Sequence, residues 1–141
     1  MLVPWSNTLA QDSRATEIEA RRDGGILGAE AFVSTITFYC AEIFPDMRES
    51  TIAAWRAWQK RNQGVLDLAY ASRNLEIKSE CAEQILGNCE EVYRKELELV
   101  MEEQGAELVV RMEEFTPDMK RYKCENILPL IDSGEFDPGQ E

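Results

Sequence analysis

The chain has 141 residues, a length at which one domain can bury a core without needing a metal or a partner to fold. With 44% hydrophobic and 30% charged residues, its composition is globular. The longer apolar stretches carry polar residues at helical intervals. We therefore expect a single domain that does not span a membrane.

The acidic balance restricts the partners. The chain has 27 Asp and Glu residues against 15 Lys and Arg residues, a net charge of −12. This charge repels nucleic acid phosphates and anionic lipid headgroups, so neither is expected as a partner. It favours encounter with a basic protein, and the simpler alternative is that it only keeps the protein soluble.

Histidine is absent. This absence removes the commonest general base, the Ser-His and Cys-His nucleophile pairs and the most frequent zinc ligand. Catalysis by a pair of carboxylates remains open, but it requires a cleft larger than a small helical bundle usually provides. We expect a protein that is not an enzyme and that holds no cofactor and no metal.

The first ten residues have two interpretations, and a short helix is predicted after them. Thr8-Leu9-Ala10 resembles the small-residue end of a secretory signal, although the basic and long apolar regions that precede such an end are missing. Residues 1–10 are interpreted either as the remnant of a signal peptide or as a frayed terminus. Asp12 to Arg22 then predicts a short, loosely held helix that Gly24-Gly25 ends.

Two amphipathic helices follow. The first is predicted from Ile26 to Phe44, where Pro45 ends it, and the second from about Asp46, with a bend at Gly64. Their apolar residues recur every three or four positions, which is typical of a helix face packed on a core. The predicted buried residues are Ala29, Phe32, Val33, Ile36, Tyr39, Cys40 and Ile43 in the first helix and Ile52, Trp55, Trp58, Val65, Leu66 and Ala69 in the second.

A third long helical segment is predicted after Asn74 and runs towards Phe115. Gly87-Asn88 and Gly105 are the places where it is expected to break. Its predicted buried positions are Ile85, Leu86, Cys89, Tyr93, Leu97, Val100, Leu108 and Met112.

The last helix has clear boundaries. Thr116-Pro117 predicts its start, a capping hydroxyl followed by proline, and Ser133-Gly134 predicts its end. No long β-type alternation interrupts the helical pattern. We expect an all-α fold, an antiparallel bundle of four to five helices over residues 11–132, followed by an acidic flexible tail at residues 133–141.

The four cysteines, Cys40, Cys81, Cys89 and Cys124, lack the C-x-x-C spacing of zinc knuckles and redox pairs. Their number allows three pairings, and buried free thiols are the alternative. On one unbroken helix Cys81 and Cys89 would lie about 12 Å apart, so they can pair only if Gly87-Asn88 turns the chain. A Cys40–Cys124 bond makes the most physical sense, because it joins two elements distant in sequence.

Short motifs surround the first and last cysteines and the tryptophans. They are Cys40-Ala41-Glu42-Ile43-Phe44-Pro45, Ala54-Trp55, Trp58 through Arg61-Asn62, Lys123-Cys124-Glu125 and Ser133-Gly134-Glu135-Phe136-Asp137. Together they resemble a loose group of uncharacterised bacterial exported helical proteins. The resemblance implies a bond between the first and last cysteines and a periplasmic location, and it carries no activity to transfer. If all four thiols are reduced, the cytoplasm is the alternative location.

Trp55 and Trp58 have two interpretations. With Arg56, Lys60 and Arg61 they would form an aromatic and basic contact surface, since Trp and Arg often carry binding energy. Three residues apart, however, they share one helix face, and we expect both to belong to the core.

Acidic residues concentrate between Glu76 and Glu114, where twelve acidic residues stand against four basic ones. A solvated helix face explains most of this charge. Carboxylate metal sites in bundles use a Glu-x-x-His motif, which this chain lacks, so a metal site is not expected. The predicted partner-binding residues are Glu90, Glu91, Glu98, Glu102 and Glu103.

These features favour a non-enzymatic binding protein of the bacterial envelope. We expect an immunity or inhibitor protein that neutralises a basic partner, either a secreted toxin or a cell-wall hydrolase. The alternative is a structural or adaptor subunit of an envelope assembly, which requires an exposed apolar patch and self-association, and a homodimer is left open. An enzyme would instead show a deep cleft with two acids of raised pKa.

Overall fold

The computed structural model describes residues 4–83 and 87–139, with side chains described from residue 24 onward. It is an antiparallel bundle of four helices. The helices are α1 (Pro4–Ile43), α2 (Arg48–Cys81), α3 (Cys89–Glu113) and α4 (Pro117–Asp132), and a 3-10 turn (Pro45–Met47) joins α1 to α2. The described residues contain no β-strand, and the predicted all-α fold is confirmed.

Several predicted helix breaks are wrong. Helix α1 continues through Gly24-Gly25, α3 continues through Gly105, and α2 runs past Asn74 to Cys81. Glycine within a helix costs about 1 kcal/mol relative to alanine, which neighbouring contacts can offset. At Gly24-Gly25 the offset comes from Ile26 and Leu27, which are buried directly after the pair.

Other predicted boundaries are confirmed. Helix α1 ends just before Pro45, and the chain turns at Gly87-Asn88 between α2 and α3. At the start of α4 the Thr116 hydroxyl accepts a hydrogen bond from the backbone N–H of Met119 at 3.2 Å. Ser133 caps the end of the same helix.

The core lies mainly between α1 and α2 and is closed by α4. Val33 and Cys40 of α1, Trp58 of α2, and Cys124 and Ile131 of α4 are fully buried. The predicted burial of Ile36, Tyr39, Leu66 and Ala69 is confirmed, and Ala29, Phe32, Ile43, Ile52 and Trp55 are partly buried. Val65 was expected in the core but is 36% exposed, because its position lies at the edge of the buried face. Ile85 and Leu86 lie outside the described residues.

Both disulfides form. Cys40 is bonded to Cys124 across 84 residues, and Cys81 is bonded to Cys89 across 8 residues, each with Cα atoms 5.7 Å apart. The second pair closes because the turn at Gly87-Asn88 brings the end of α2 back to the start of α3. The first bond is fully buried, whereas Cys81 and Cys89 are only half-buried.

Residues 133–137, here called the strap, correct the prediction of a flexible tail. The Trp58 indole donates a hydrogen bond to the carbonyl of Phe136 at 3.3 Å, and the Phe136 ring lies 5.1 Å from that of Phe32. The Arg61 guanidinium donates to both carboxylate oxygens of Asp137 at 2.6 and 2.8 Å. Apolar and bidentate contacts together hold the strap on α1 and α2.

These contacts also decide between the two interpretations of the tryptophans. Trp58 is fully buried, and the half-buried Trp55 stacks on it with ring centroids 5.7 Å apart. The core interpretation is therefore confirmed for Trp58. Arg61 binds Asp137 of the strap, so its guanidinium is not available for the basic contact surface of the other interpretation.

One described segment, Gly24–Ile43 within α1, is long and apolar enough to cross a membrane, with a mean hydropathy of 1.3. Buried core helices and signal sequences pass the same test. In this fold 44% of the segment's most apolar window is buried, and Cys40 is bonded to α4. The expectation of no membrane span stays a prediction, and the proposed signal remnant at residues 1–10 lies outside the described side chains.

Candidate functional site

Helix α3 is held to the bundle by one line of residues. Met112 is its only buried side chain among the described residues, and Tyr93, Leu97, Met101 and Leu108 are half-buried. This inner line agrees with the predicted positions except at Val100, which is 50% exposed. Val100 lies at the edge of the contact face, where three- and four-residue spacing does not separate inside from outside.

Gly105 of α3 lies close to helix α1. A Cβ atom at this position would lie 3.3 Å from the Thr35 hydroxyl of α1, so a small residue allows the two helices to meet. Beside this contact lies a groove of about 220 Å³, lined by Gly28, Ala31, Phe32, Thr35, Gln104, Gly105, Glu107, Leu108 and Arg111. This glycine serves helix packing rather than a helix break.

The structure divides the predicted partner-binding glutamates. Glu91, Glu98 and Glu102 are exposed and follow one another at intervals of seven and four, which places them along one side of α3. Glu103 is exposed on a different side. Glu90 is half-buried, and its carboxylate lies 4.0 Å from the Arg94 guanidinium.

Between these sides lies an apolar line that the sequence analysis missed, here called the outer strip. Val92, Leu99 and Val110 are 48%, 53% and 59% exposed, and Ala106 is exposed between them. In the sequence this line could have been recognised from the spacing of seven, seven and four residues, which places the four side chains on a second apolar face of α3. A shallow depression of about 560 Å³ at its end is lined by Glu103, Ala106, Glu107, Val110, Arg111 and Glu114.

An ion pair anchors the end of α3 to α4. Lys120 Nζ lies 2.6 Å from Glu113 Oε2, and this ammonium lowers the pKa of Glu113. The Tyr39 side chain of α1 faces the pair. Burial, followed by the Glu113 carboxylate, raises the pKa of the Tyr39 phenol, whose hydroxyl oxygen is buried without a hydrogen bond of good geometry in the described structure.

Among the residues whose side chains are described, the carboxyl groups with shifted pKa values are all shifted downward. A basic partner lowers the pKa of each: Arg121 for Asp46, Lys120 for Glu113 and Arg61 for Asp137. A general acid requires the opposite shift. The expectation that the chain is not an enzyme stays a prediction.

No family model, curated protein or solved structure matches the chain. The resemblance to exported bacterial helical proteins therefore remains a hypothesis that rests on the quoted motifs.

Proposed function

We propose that this chain is a non-enzymatic binding protein of the bacterial envelope that holds a basic protein on α3. The role that fits is that of an immunity or inhibitor protein for a secreted toxin or a cell-wall hydrolase. The observation that carries the proposal is the exposed face of α3, where an apolar line runs between acidic residues that form no salt bridge with the described side chains.

Most acidic residues of this face form no salt bridge within the described part of the bundle. The described residues include salt bridges to Glu90 and Glu113 but none to Glu91, Glu98, Glu102 or Glu103. Unpaired surface carboxylates contribute little to folding, and together they attract a positively charged surface over roughly a Debye length. Both cysteine pairs are bonded, which agrees with an oxidising location such as the periplasm.

A strongly basic lysozyme is a suitable probe, since it is both a basic protein and a cell-wall hydrolase. We expect the immobilised protein to bind it and to slow its lysis of purified cell walls. The triple variant Glu91→Gln, Glu98→Gln, Glu102→Gln should bind it about tenfold more weakly, because the charges that face the partner are lost.

The matched control is Glu42→Gln, Glu49→Gln, Glu80→Gln, which makes the same change in net charge at exposed positions outside α3. Equal losses in the two triple variants would show a non-specific charge effect and overturn the proposal. Binding without slower lysis would leave a binding protein and remove the inhibitor role.

A second function, an adaptor subunit that self-associates, is favoured by a specific feature of α2. Leu68 and Leu75 lie seven residues apart on one exposed side and are 74% and 69% exposed. Apolar residues in that arrangement commonly mark contact surfaces. Sedimentation equilibrium tests this alternative: a dimer that Leu68→Ser, Leu75→Ser dissociates would support it, and a monomer at high concentration would reject it.

A further inference from the structure

The outer strip has the length and form of a helix-binding surface. From Val92 to Val110 the backbone rises about 27 Å, the length of a partner helix of about 18 residues. The strip residues point away from the inner line that contacts α1 and α2, since Met101 and Met112 lie on the opposite side of the helix. Its apolar area is therefore open to a partner.

Acidic residues line both edges of the strip. Glu96, Glu103 and Glu107 follow one edge at intervals of seven and four, and Glu91, Glu98 and Glu102 follow the other at the same intervals. All of these residues are exposed. Lys95 lies near the second edge and Arg111 follows Glu107 at the end of the first edge, so six acidic residues stand against two basic ones and the edges are predominantly negative.

This arrangement determines which occupant fits. A helix with one apolar line between Lys or Arg residues would place apolar side chains on the strip and cations against both acidic edges. A second copy of α3 would set carboxylates against carboxylates, and like charges opposed across an interface cost several kcal/mol. The strip is thus complementary to a basic amphipathic helix and not to itself.

We propose that α3 binds a basic amphipathic helix of the partner protein along the outer strip. This inference rests on the proposed function, because it names the element by which the basic partner is recognised. The apolar line supplies affinity, and the two acidic edges supply orientation and specificity.

The test uses a fluorescent synthetic peptide of about 18 residues with a Leu line flanked by Lys, and a twin with Glu in place of Lys. Fluorescence anisotropy should show binding of the Lys peptide that weakens with added salt, and no binding of the Glu twin. Val92→Ser, Leu99→Ser should weaken binding about tenfold, because the apolar contact is lost. The control Met119→Ser, Tyr122→Ser changes comparably exposed apolar residues of α4, which are 41% and 60% exposed, and should leave the affinity unchanged.

The other outcomes would contradict the docking inference, the proposed function or both. Equal weakening by both Ser variants, or binding of the Glu twin, would overturn the docking inference. If the lysozyme probe binds through the α3 glutamates while the Lys peptide does not bind, the inference fails and the proposed function stands. If neither probe binds, both fail. Circular dichroism of each variant confirms that it is folded.

Discussion

Helix α3 and the other three helices use their apolar residues differently. Helices α1, α2 and α4 bury Trp58, Cys40, Cys124 and Ile131 completely, and the strap closes over them. Helix α3 buries Met112 alone among its described side chains and leaves an apolar line open. Complete burial is therefore concentrated in α1, α2 and α4, while α3 keeps an exposed apolar face, which we propose as the recognition surface.

The largest expected loss of unfolding free energy comes from removing each disulfide in turn. The double variant Cys40→Ala, Cys124→Ala should lose about 4–5 kcal/mol of unfolding free energy, because the bond closes a long loop within the core. Cys81→Ala, Cys89→Ala should lose about 2–3 kcal/mol, because its loop is short. Urea unfolding followed by circular dichroism measures both, and equal losses would show that the length of the closed loop does not determine the contribution of each bond.

Truncating one apolar residue of the core and one of α3 sharpens the comparison. Trp58→Ala should lower the unfolding free energy by about 3–5 kcal/mol, because it leaves a cavity and an unpaired carbonyl at Phe136. Leu99→Ala on the outer strip should change it by less than about 0.5 kcal/mol. A large loss at Leu99 in urea unfolding would mean that the strip is part of the core.

The strap provides a pH-dependent test. Asp137→Asn should cost about 1–2 kcal/mol at neutral pH, a moderate value since Arg61 is partly exposed. Arg61 lowers the pKa of folded Asp137 below its unfolded value, near 4. The contribution is therefore complete above about pH 4 and is lost as pH falls through the folded-state pKa. The stability difference between wild type and variant should shrink in acid, and a constant difference would exclude the ion pair as its source.

The smallest effect concerns two helical glycines. Gly64→Ala should stabilise the protein by about 0.5–1 kcal/mol, since no atom lies within 4 Å of the added Cβ. Gly105→Ala should gain less, because its Cβ would meet the Thr35 hydroxyl at 3.3 Å. Thermal unfolding compares the two, and an equal gain would show that α1 and α3 do not pack closely at Gly105.

The fold was largely predictable because its strongest signals are local. The cap at Thr116, the end at Pro45 and the periodicity around Val33 and Trp58 each depend on neighbouring residues. The glycine breaks were wrong because contacts made by Ile26 and Leu27, distant in sequence from their partners, offset the cost of Gly24-Gly25. A local sequence pattern shows the cost of a glycine in a helix but not the stabilisation that contacts with distant residues supply.

The surface of α3 was predicted less well. Its acidic residues were identified by charge alone, and their division into two edges depends on helical phase. The outer strip was missed because only one apolar face was considered for this helix, and Val92, Leu99 and Val110 were given no role. The strap was missed because its acidic, glycine-containing sequence is typical of a tail, and only Arg61 and Trp58 of α2 give Phe136 and Asp137 a place to bind.

The late position of the closing contacts has a consequence for biosynthesis. Cys124, Ile131 and the strap all complete a core whose other half comes from α1 and α2. A nascent chain that has emerged only as far as α3 exposes those apolar faces and carries Cys40 without its partner. If the chain is exported as proposed, this order of assembly would keep the core incomplete until α4 has crossed the membrane, and the Cys40–Cys124 bond would form only after that step.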